Sequence, residues 1–230
     1  MSIEGNIIHI RQEIYKACEK SKRNPDEVTL IAVTKTVDSS KVNEAIAQGI
    51  EDIGENKVQE IINKCEKVSP VSFHMIGHLQ TNKVKYIIDK VKLIHSLDRI
   101  SLAKEIDKRA KQHNKIMDVL IQINVAKEDT KFGMYQEDVY DFLEKIKCFE
   151  NIKVKGLMTI APYEEDPEEV RKYFKELKKI FEEIKTKAFS HVEMKYLSMG
   201  MTNDFQIAIE EGANIIRVGT GIFGERNYNQ

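Results

Sequence analysis

The chain has 230 residues, of which 41% are hydrophobic and 32% charged, and 36 Lys+Arg against 37 Asp+Glu leave a formal net charge of −1. This balance is typical of a globular domain and excludes a disordered chain or the basic surface of a nucleic-acid-binding domain. Because no run approaches the ~20 apolar residues of a membrane span and the N-terminus lacks the pattern of a signal peptide, we expect a cytoplasmic protein without a membrane or nucleic-acid partner.

Helical and strand patterns alternate along the whole chain. An amphipathic helix comes first, because apolar residues recur at helical spacing from Ile3 to Ile14. Eight short segments rich in β-branched and apolar residues follow, and nearly every one precedes a helical pattern. The predicted strands are 28–36, 51–56, 71–76, 92–95, 116–124, 152–157, 195–198 and 214–218, and the predicted helices between them are 38–48, 57–67, 82–90, 96–113, 135–147, 164–184 and 204–211.

This alternation indicates an α/β fold with parallel strand pairing and right-handed crossovers. Eight strand–helix units fit a (β/α)8 TIM barrel, which usually takes about 250 residues and sometimes as few as 200. We therefore predict a single barrel domain over residues 1–230 with an extra N-terminal helix. A doubly wound open sheet is the alternative.

The first strand ends in Lys35, where a barrel of this kind collects its functional residues. A lysine with apolar neighbours loses its proton more readily, and the neutral amine can form a Schiff base with a carbonyl. The alternative is a lysine that extends into solvent. Asn56, after the second strand, is either a ligand donor or an ordinary helix cap.

The segment 219–224, Gly-Thr-Gly-Ile-Phe-Gly, matches GxGxxG and follows the eighth strand. The Rossmann interpretation fails, since that fingerprint opens a helix and precedes an acidic residue ~20 positions later. In a barrel, the loops after strands seven and eight commonly bind phosphate together with a short extra helix. Gly219, Thr220 and Gly221 would present backbone N–H groups and a hydroxyl, and Ser198 and Gly200 lie in the neighbouring loop, so these residues are candidate phosphate ligands.

Arg217 lies within the apolar eighth strand, where a buried guanidinium needs an acceptor. Either a structural carboxylate or a ligand atom could serve. His74 and His78 are four residues apart, but the glycine between them rules out the helical spacing of a zinc motif, and the three cysteines form no CxxC pair. No metal site is predicted, and His95 is interpreted as a hydrogen-bonded core or rim residue.

A Schiff-base lysine, a phosphate site and a buried arginine together suit a ligand with an aldehyde, an aromatic nitrogen and a phosphate. Pyridoxal phosphate (PLP) has all three groups. A sugar-phosphate enzyme that uses Lys35 without a cofactor remains a further hypothesis.

Segments spread over nearly the whole chain resemble the YggS/PROSC family of PLP homeostasis proteins. They are VTKT at 33–36, GENKVQE at 54–60, HMIGHLQTNK at 74–83, HSLD at 95–98, GLMTI at 156–160, LSMGMTND at 197–204 and RVGTGIFG at 217–224. The resemblance implies an alanine-racemase-like barrel of fold type III, with PLP held as an internal aldimine on Lys35. It further implies that Arg217 faces the pyridine nitrogen, that Asn56 lies beside the ring, and that phosphate is held by Ser198, Gly200, Gly219 and Thr220.

The resemblance implies buffering or delivery of PLP, with PLP-dependent apoenzymes as candidate recipients, and we expect a monomer. Relative to alanine racemases, the sequence stops after the barrel, so we expect no C-terminal domain with an opposing catalytic tyrosine. Racemisation needs acid/base groups on both faces of the substrate, and we therefore expect no catalytic turnover. The alternative is a PLP-dependent amino-acid racemase or decarboxylase.

Overall fold

The computed structural model describes residues 2–128, 130–187 and 189–225. Its eight strands are all parallel and close into a barrel in chain order, with β1 also paired to β8. The predicted (β/α)8 barrel is thereby confirmed. The strands are Thr29–Val33 (β1), Asp52–Glu55 (β2), Ser72–Met75 (β3), Val91–Leu97 (β4), Met117–Gln122 (β5), Ile152–Met158 (β6), Val192–Ser198 (β7) and Ile215–Val218 (β8).

Helices surround the barrel. The α-helices are Ile3–Lys20 (α1), Ser39–Ala47 (α2), Val58–Lys64 (α3), Ile100–Gln112 (α4), Val139–Ile146 (α5), Arg171–Lys185 (α6), Phe205–Glu210 (α7) and Thr220–Phe223 (α8). Short 3-10 helices cover Pro25–Glu27, Thr81–Tyr86, Gln136–Asp138 and Pro167–Val170. Among the described residues, no helix has the length and apolar character needed to cross a membrane.

Several predicted bounds were wrong: the first strand ends at Val33 rather than at 36, and α6 begins at Arg171, after a 3-10 helix, rather than at 164. The segment 82–90 is not an α-helix, because the 3-10 helix Thr81–Tyr86 takes its place. Its buried apolar residues Val84, Ile87 and Ile88 lie three to four positions apart, a spacing that both helix types satisfy. The predicted cap at 96–98 overlaps the end of β4, which runs on to the buried Leu97.

The hydrophobic core has two parts, as expected for strands that are buried on both faces. The larger part lies between the strands and the helices, and a smaller cluster fills the barrel interior. The interior cluster consists of Ile31, Leu93, Leu120, Met158 and Ile215, with Tyr196 packed against it. This apolar layer makes the barrel a packed core rather than a channel.

The N-terminal helix α1 packs its isoleucine stripe on α2, α7 and α8. Ser2 caps the helix by accepting a hydrogen bond from the backbone N–H of Gly5 at 3.1 Å. Asn6 Nδ2 donates to the carbonyl of Ile222 at 2.8 Å and so fixes the short α8. Helix α1 therefore supports the loop that follows β8.

Candidate functional site

Lys35 lies in a turn two residues after β1, half-buried, on the wall of a cavity of about 620 Å³. Thr34 continues the sheet by donating its backbone N–H to the carbonyl of Gly54 at 3.0 Å. Thr36 has a φ of 61°, which is uncommon for a β-branched residue. Its backbone N–H donates to Glu60 Oε2 at 2.7 Å, which holds this conformation. The turn that carries Lys35 is thus fixed on both sides.

A buried ion cluster lies directly behind this turn. Lys64 Nζ donates to the carbonyl of Thr34 at 2.6 Å, to Glu55 Oε1 at 2.7 Å and to Glu60 Oε2 at 3.3 Å. The Thr34 hydroxyl also donates to Glu55 Oε1, at 2.5 Å. Burial raises the pKa of Glu55 to about 7, against the opposing effect of the hydrogen bonds from Lys64 and Thr34. Through Thr34 and Glu60, this cluster ties both neighbours of Lys35 to α3.

Arg217, in β8, lies in register with Ile31 of β1 and reaches the cavity wall while only 4% exposed. Its Nη1 donates to Ser198 Oγ at 2.6 Å and its Nη2 to the carbonyl of Thr159 at 2.7 Å. Burial lowers the pKa of Arg217 to about 10, with the charge of Asp204 opposing the shift, so the guanidinium stays protonated at neutral pH. No carboxylate forms an ion pair with it in the part of the chain that the structure describes, and the acceptors it has are neutral.

The loops after β7 and β8 meet on the same wall of the cavity. Gly219 and Thr220 line it at the start of α8. The Thr220 hydroxyl donates to Thr202 Oγ1 at 3.1 Å, and the backbone N–H of Gly221 donates to the same oxygen at 3.3 Å. Thr202 of the β7 loop therefore holds the β8 loop in place.

Ser198 and Gly200 are placed differently. The Ser198 hydroxyl is fully buried and is engaged by Arg217 and His95, so it points into the barrel interior rather than to the cavity. The carbonyl of Gly200 accepts the backbone N–H of Arg217 at 3.0 Å. Gly200 has a φ of 91°, and a Cβ there would lie 2.5 Å from Ala208 Cβ. Both residues therefore lie behind the cavity wall and support it rather than lining it.

The opposite wall is formed by the loops after β2 and β3. Asn56 and Gly77 both line the cavity, and a Cβ on Gly77 would lie 2.4 Å from the carbonyl oxygen of Asn56. His78 stacks on the ring of Phe132, with ring centroids 3.9 Å apart and planes inclined by 18°. This pair forms an aromatic edge of the cavity.

The structure brings most of the predicted site residues together. The cavity is lined by Lys35, Asn56, Arg217, Gly219 and Thr220. Sequence reasoning missed the wall contributed by the end of β5 and the loops after β5 and β6, whose residues include Gln122, Phe132, Ile160 and Tyr163. Gln122 Nε2 donates to the carbonyl of Phe132 at 3.1 Å. A polar residue at the last position of the apolar β5 was the available signal. No group of three or more potential metal ligands occurs among the described residues.

Comparison with known proteins supports a common fold. The family model "Alanine racemase, N-terminal domain" matches residues 7–227. The alanine racemase of Clostridium difficile superposes with a TM-score of 0.72 at 14% identity, covering 99% of this chain and 58% of that chain. PipY of Synechococcus elongatus, whose structure was solved with PLP bound, superposes with a TM-score of 0.83 at 29% identity, covering 97% of this chain and 100% of that chain. Fold and site together define an alanine-racemase-like barrel.

Full-length relatives narrow this class further. The pyridoxal phosphate homeostasis protein of Aquifex aeolicus is 46% identical over 221 residues, which cover 95% of this chain and 96% of that protein. The protein of the same name from Escherichia coli is 31% identical and covers 99% of this chain and 98% of that protein. The chain belongs to the YggS/PROSC family of pyridoxal phosphate homeostasis proteins.

Proposed function

We propose that this protein holds PLP covalently on Lys35 and acts in intracellular PLP homeostasis by buffering or delivering the cofactor. The observation that carries the proposal is the sharing of one cavity by Lys35, Arg217 and the Gly219–Thr220 turn. The relationship to full-length homeostasis proteins supports the same conclusion.

The residues present fit PLP. The cavity volume of about 620 Å³ falls within the ~300–1,000 Å³ of small-molecule sites. Lys35 offers the amine, and Arg217 offers a buried donor for the pyridine nitrogen. Gly219 and Thr220 offer backbone N–H groups for the phosphate, and the Thr220 hydroxyl would join them by turning its proton away from Thr202, with Ser198 and Gly200 contributing from the β7 loop. Because the Ser198 hydroxyl is engaged by Arg217, that contribution comes from its loop rather than from its Oγ.

Arg217 favours binding of the cofactor over catalysis with it. Bound PLP supplies an electron sink for chemistry at the Cα of amino acids, and its strength depends on a protonated ring nitrogen. A guanidinium can only donate a hydrogen bond, so it favours the unprotonated nitrogen. With Arg217 in this place, we expect tight binding of PLP and slow chemistry.

Replacing Arg217 with glutamate is expected to protonate the ring nitrogen of bound PLP, because a carboxylate accepts the hydrogen bond that arginine donates. Protein loaded with 15N-labelled PLP is measured by NMR, and visible absorption is recorded in parallel. Arg217→Gln, which removes the charge without adding an acid, is the control and should not give the protonated signal. An unchanged nitrogen signal in Arg217→Glu would show that Arg217 does not contact the ring nitrogen.

The function itself is tested with purified protein loaded with PLP. We expect the loaded protein to restore the activity of a PLP-dependent apoenzyme, and to racemise or decarboxylate single amino acids no faster than free PLP does. Turnover well above that of free PLP would overturn the homeostatic role. Failure to bind PLP in an equilibrium titration would overturn the proposal as a whole.

One observation favours the alternative, a PLP-dependent racemase or decarboxylase. Tyr163 follows β6 at the mouth of the cavity, 82% exposed, where a phenol could act as an acid or base. An amino-acid turnover that decreases in the variant Tyr163→Phe would support this alternative.

The proposal also takes the protein to be a cytoplasmic monomer whose partners are PLP and PLP-dependent apoenzymes. The exposed cavity mouth at Tyr163 supports direct transfer, since a recipient can approach without rearrangement of the barrel. The formal net charge of −1 agrees with the expected absence of a nucleic-acid partner.

A further inference from the structure

A chain of four hydrogen bonds crosses the barrel interior from Arg217 to Asp52. Arg217 Nη1 lies 2.6 Å from Ser198 Oγ, which lies 3.0 Å from His95 Nδ1. His95 Nε2 lies 2.9 Å from His74 Nδ1, and His74 Nε2 lies 2.8 Å from Asp52 Oδ1. All five side chains are buried. We call Asp52, His74, His95 and Ser198 the relay.

The direction of every bond in the relay follows from the chemistry of its two ends. The carboxylate of Asp52 can only accept, so His74 donates to it from Nε2 and, as a neutral ring, accepts at Nδ1 from the Nε2–H of His95. His95 Nδ1 is then an acceptor, so Ser198 donates its single proton to it and accepts from the guanidinium of Arg217 on a lone pair. Both imidazoles are therefore neutral Nε2–H tautomers.

The charges along the relay agree with this assignment. Burial lowers the pKa of His95 well below its usual value, helped by the positive charge of Arg217, and burial also lowers that of His74. Although burial opposes it, hydrogen bonds from His74 and Lys92 hold the pKa of Asp52 below its usual value. A cation at one end and an anion at the other thus polarise two neutral rings between them.

Arg217 is held by two acceptors, of which the Thr159 carbonyl is fixed by the backbone and the Ser198 hydroxyl is not. A hydroxyl that is free to rotate can turn its proton toward the guanidinium. The relay removes this freedom, since the proton of Ser198 is bound by His95. A lone pair of the hydroxyl then always faces Arg217.

We propose that Asp52, His74 and His95 are positioning residues for Arg217: through Ser198 they hold the guanidinium in the orientation that meets the ring nitrogen of PLP. The inference rests on the proposed function, in which Arg217 faces that nitrogen. None of the three residues lines the cavity, so they act on the cofactor only through Arg217.

Two substitutions of His95 separate positioning from packing. The amide of His95→Asn lies where Nδ1 was, and its oxygen can still accept from Ser198, whereas His95→Gln places its amide near the former Nε2 and leaves Ser198 without an acceptor. We expect His95→Gln to weaken PLP binding about tenfold, as for a lost hydrogen bond to a charged group. It should also move the ring-nitrogen signal of 15N-labelled PLP. His95→Asn should stay within about threefold of the parent in affinity.

The outcomes that would overturn the inference are equal effects of the two variants or an unchanged ring-nitrogen signal in His95→Gln. If circular dichroism shows that His95→Gln does not fold, Asp52→Asn takes its place, because asparagine keeps an acceptor oxygen but removes the charge. It should weaken PLP binding about threefold, and unchanged affinity would count against the relay.

A measurement without cofactor separates this inference from the proposed function. In the PLP-free protein, long-range 1H–15N correlation spectra should show His74 and His95 as neutral Nε2–H tautomers at neutral pH. A proton on Nδ1 of either ring would overturn the relay even if PLP binds. Conversely, Nε2–H tautomers in a protein that does not bind PLP would leave the polarised chain intact and reject the cofactor role.

Discussion

Replacing Lys35 with alanine is expected to abolish the borohydride-reducible bond to PLP while the barrel stays folded. Lys35 sits on the cavity wall, and Schiff-base formation needs a primary amine there. The barrel should lose no more than about 1 kcal/mol of stability, because Lys35 is half-buried in a turn outside the strands. Mass spectrometry of the reduced and digested protein locates the modified lysine, and thermal unfolding followed by circular dichroism checks the fold.

Lys131 provides a matched control, because it lines the same cavity from the loop after β5. Its Nζ pairs with the carboxylate of Glu128 at 2.7 Å, so attack on a carbonyl would require this ion pair to break. Lys131→Ala should retain the adduct on Lys35. A reducible adduct that persists in Lys35→Ala, on Lys131 or elsewhere, would identify a different anchor.

The barrel was predictable because its signals are local and repeat along the chain. Strands such as β1 and β5 are mostly apolar on both faces, a pattern typical of parallel strands covered by helices. The element types therefore followed from the sequence, whereas their ends did not. At 82–90, apolar residues spaced three to four apart fit α and 3-10 helices equally, and at 96–98 the strand continued through a segment with capping residues.

The lining of the cavity was predictable where it follows from position at a strand end. Lys35, Asn56 and the Gly219–Thr220 turn were predicted this way to lie close together, and they line one cavity because the carboxyl ends of barrel strands converge. The orientation of the Ser198 side chain could not be predicted, because the side chains of a strand alternate between the barrel interior and the surrounding helices. Which alternative holds at the last residue of β7 depends on the register with β8.

The relay could not be predicted from the sequence. His74 and His95 are separated by 21 positions, and His95 and Ser198 by 103. From the sequence, a buried histidine on an apolar strand indicates only a core residue with a hydrogen-bond partner. Barrel closure brings the partners together, so the interpretation of His95 as a hydrogen-bonded core residue was confirmed while its role was not visible.

Replacing Lys64 with methionine is expected to destabilise the protein by about 3 kcal/mol at mildly alkaline pH, because it leaves the carboxylate of Glu55 buried without its cation. Glu55 is fully buried, and none of the described residues donates a hydrogen bond to its Oε2, so without Lys64 only the hydroxyl of Thr34 would still donate to this carboxylate. Denaturant unfolding followed by circular dichroism measures the loss. Lys67→Met, at an exposed position near the end of the same helix, should stay within about 0.5 kcal/mol of the parent.

The loss should depend on pH in a defined direction. Folding raises the pKa of Glu55 from 4.5 to about 7, so the folded protein holds a proton that the unfolded chain releases. This carboxyl therefore adds stability that is fully present below about pH 4.5 and is lost as the pH rises through about 7. In Lys64→Met the carboxyl of Glu55 loses its cation, so its pKa should rise further. The difference in the free energy of unfolding between variant and parent should therefore be small near about pH 5 and increase above about pH 7.

The same variant tests the link from the ion cluster to Lys35. Lys64 holds the carbonyl of Thr34, and Glu60, which Lys64 also contacts, holds the backbone N–H of Thr36. Without Lys64 the turn should populate other conformations, and PLP should bind Lys35 more weakly even at about pH 5, where the fold is retained. A gap in stability that stays constant from about pH 5 to about pH 9 would show that Glu55 does not titrate in this range. Unchanged PLP affinity at about pH 5 would show that the turn keeps its shape without the cluster.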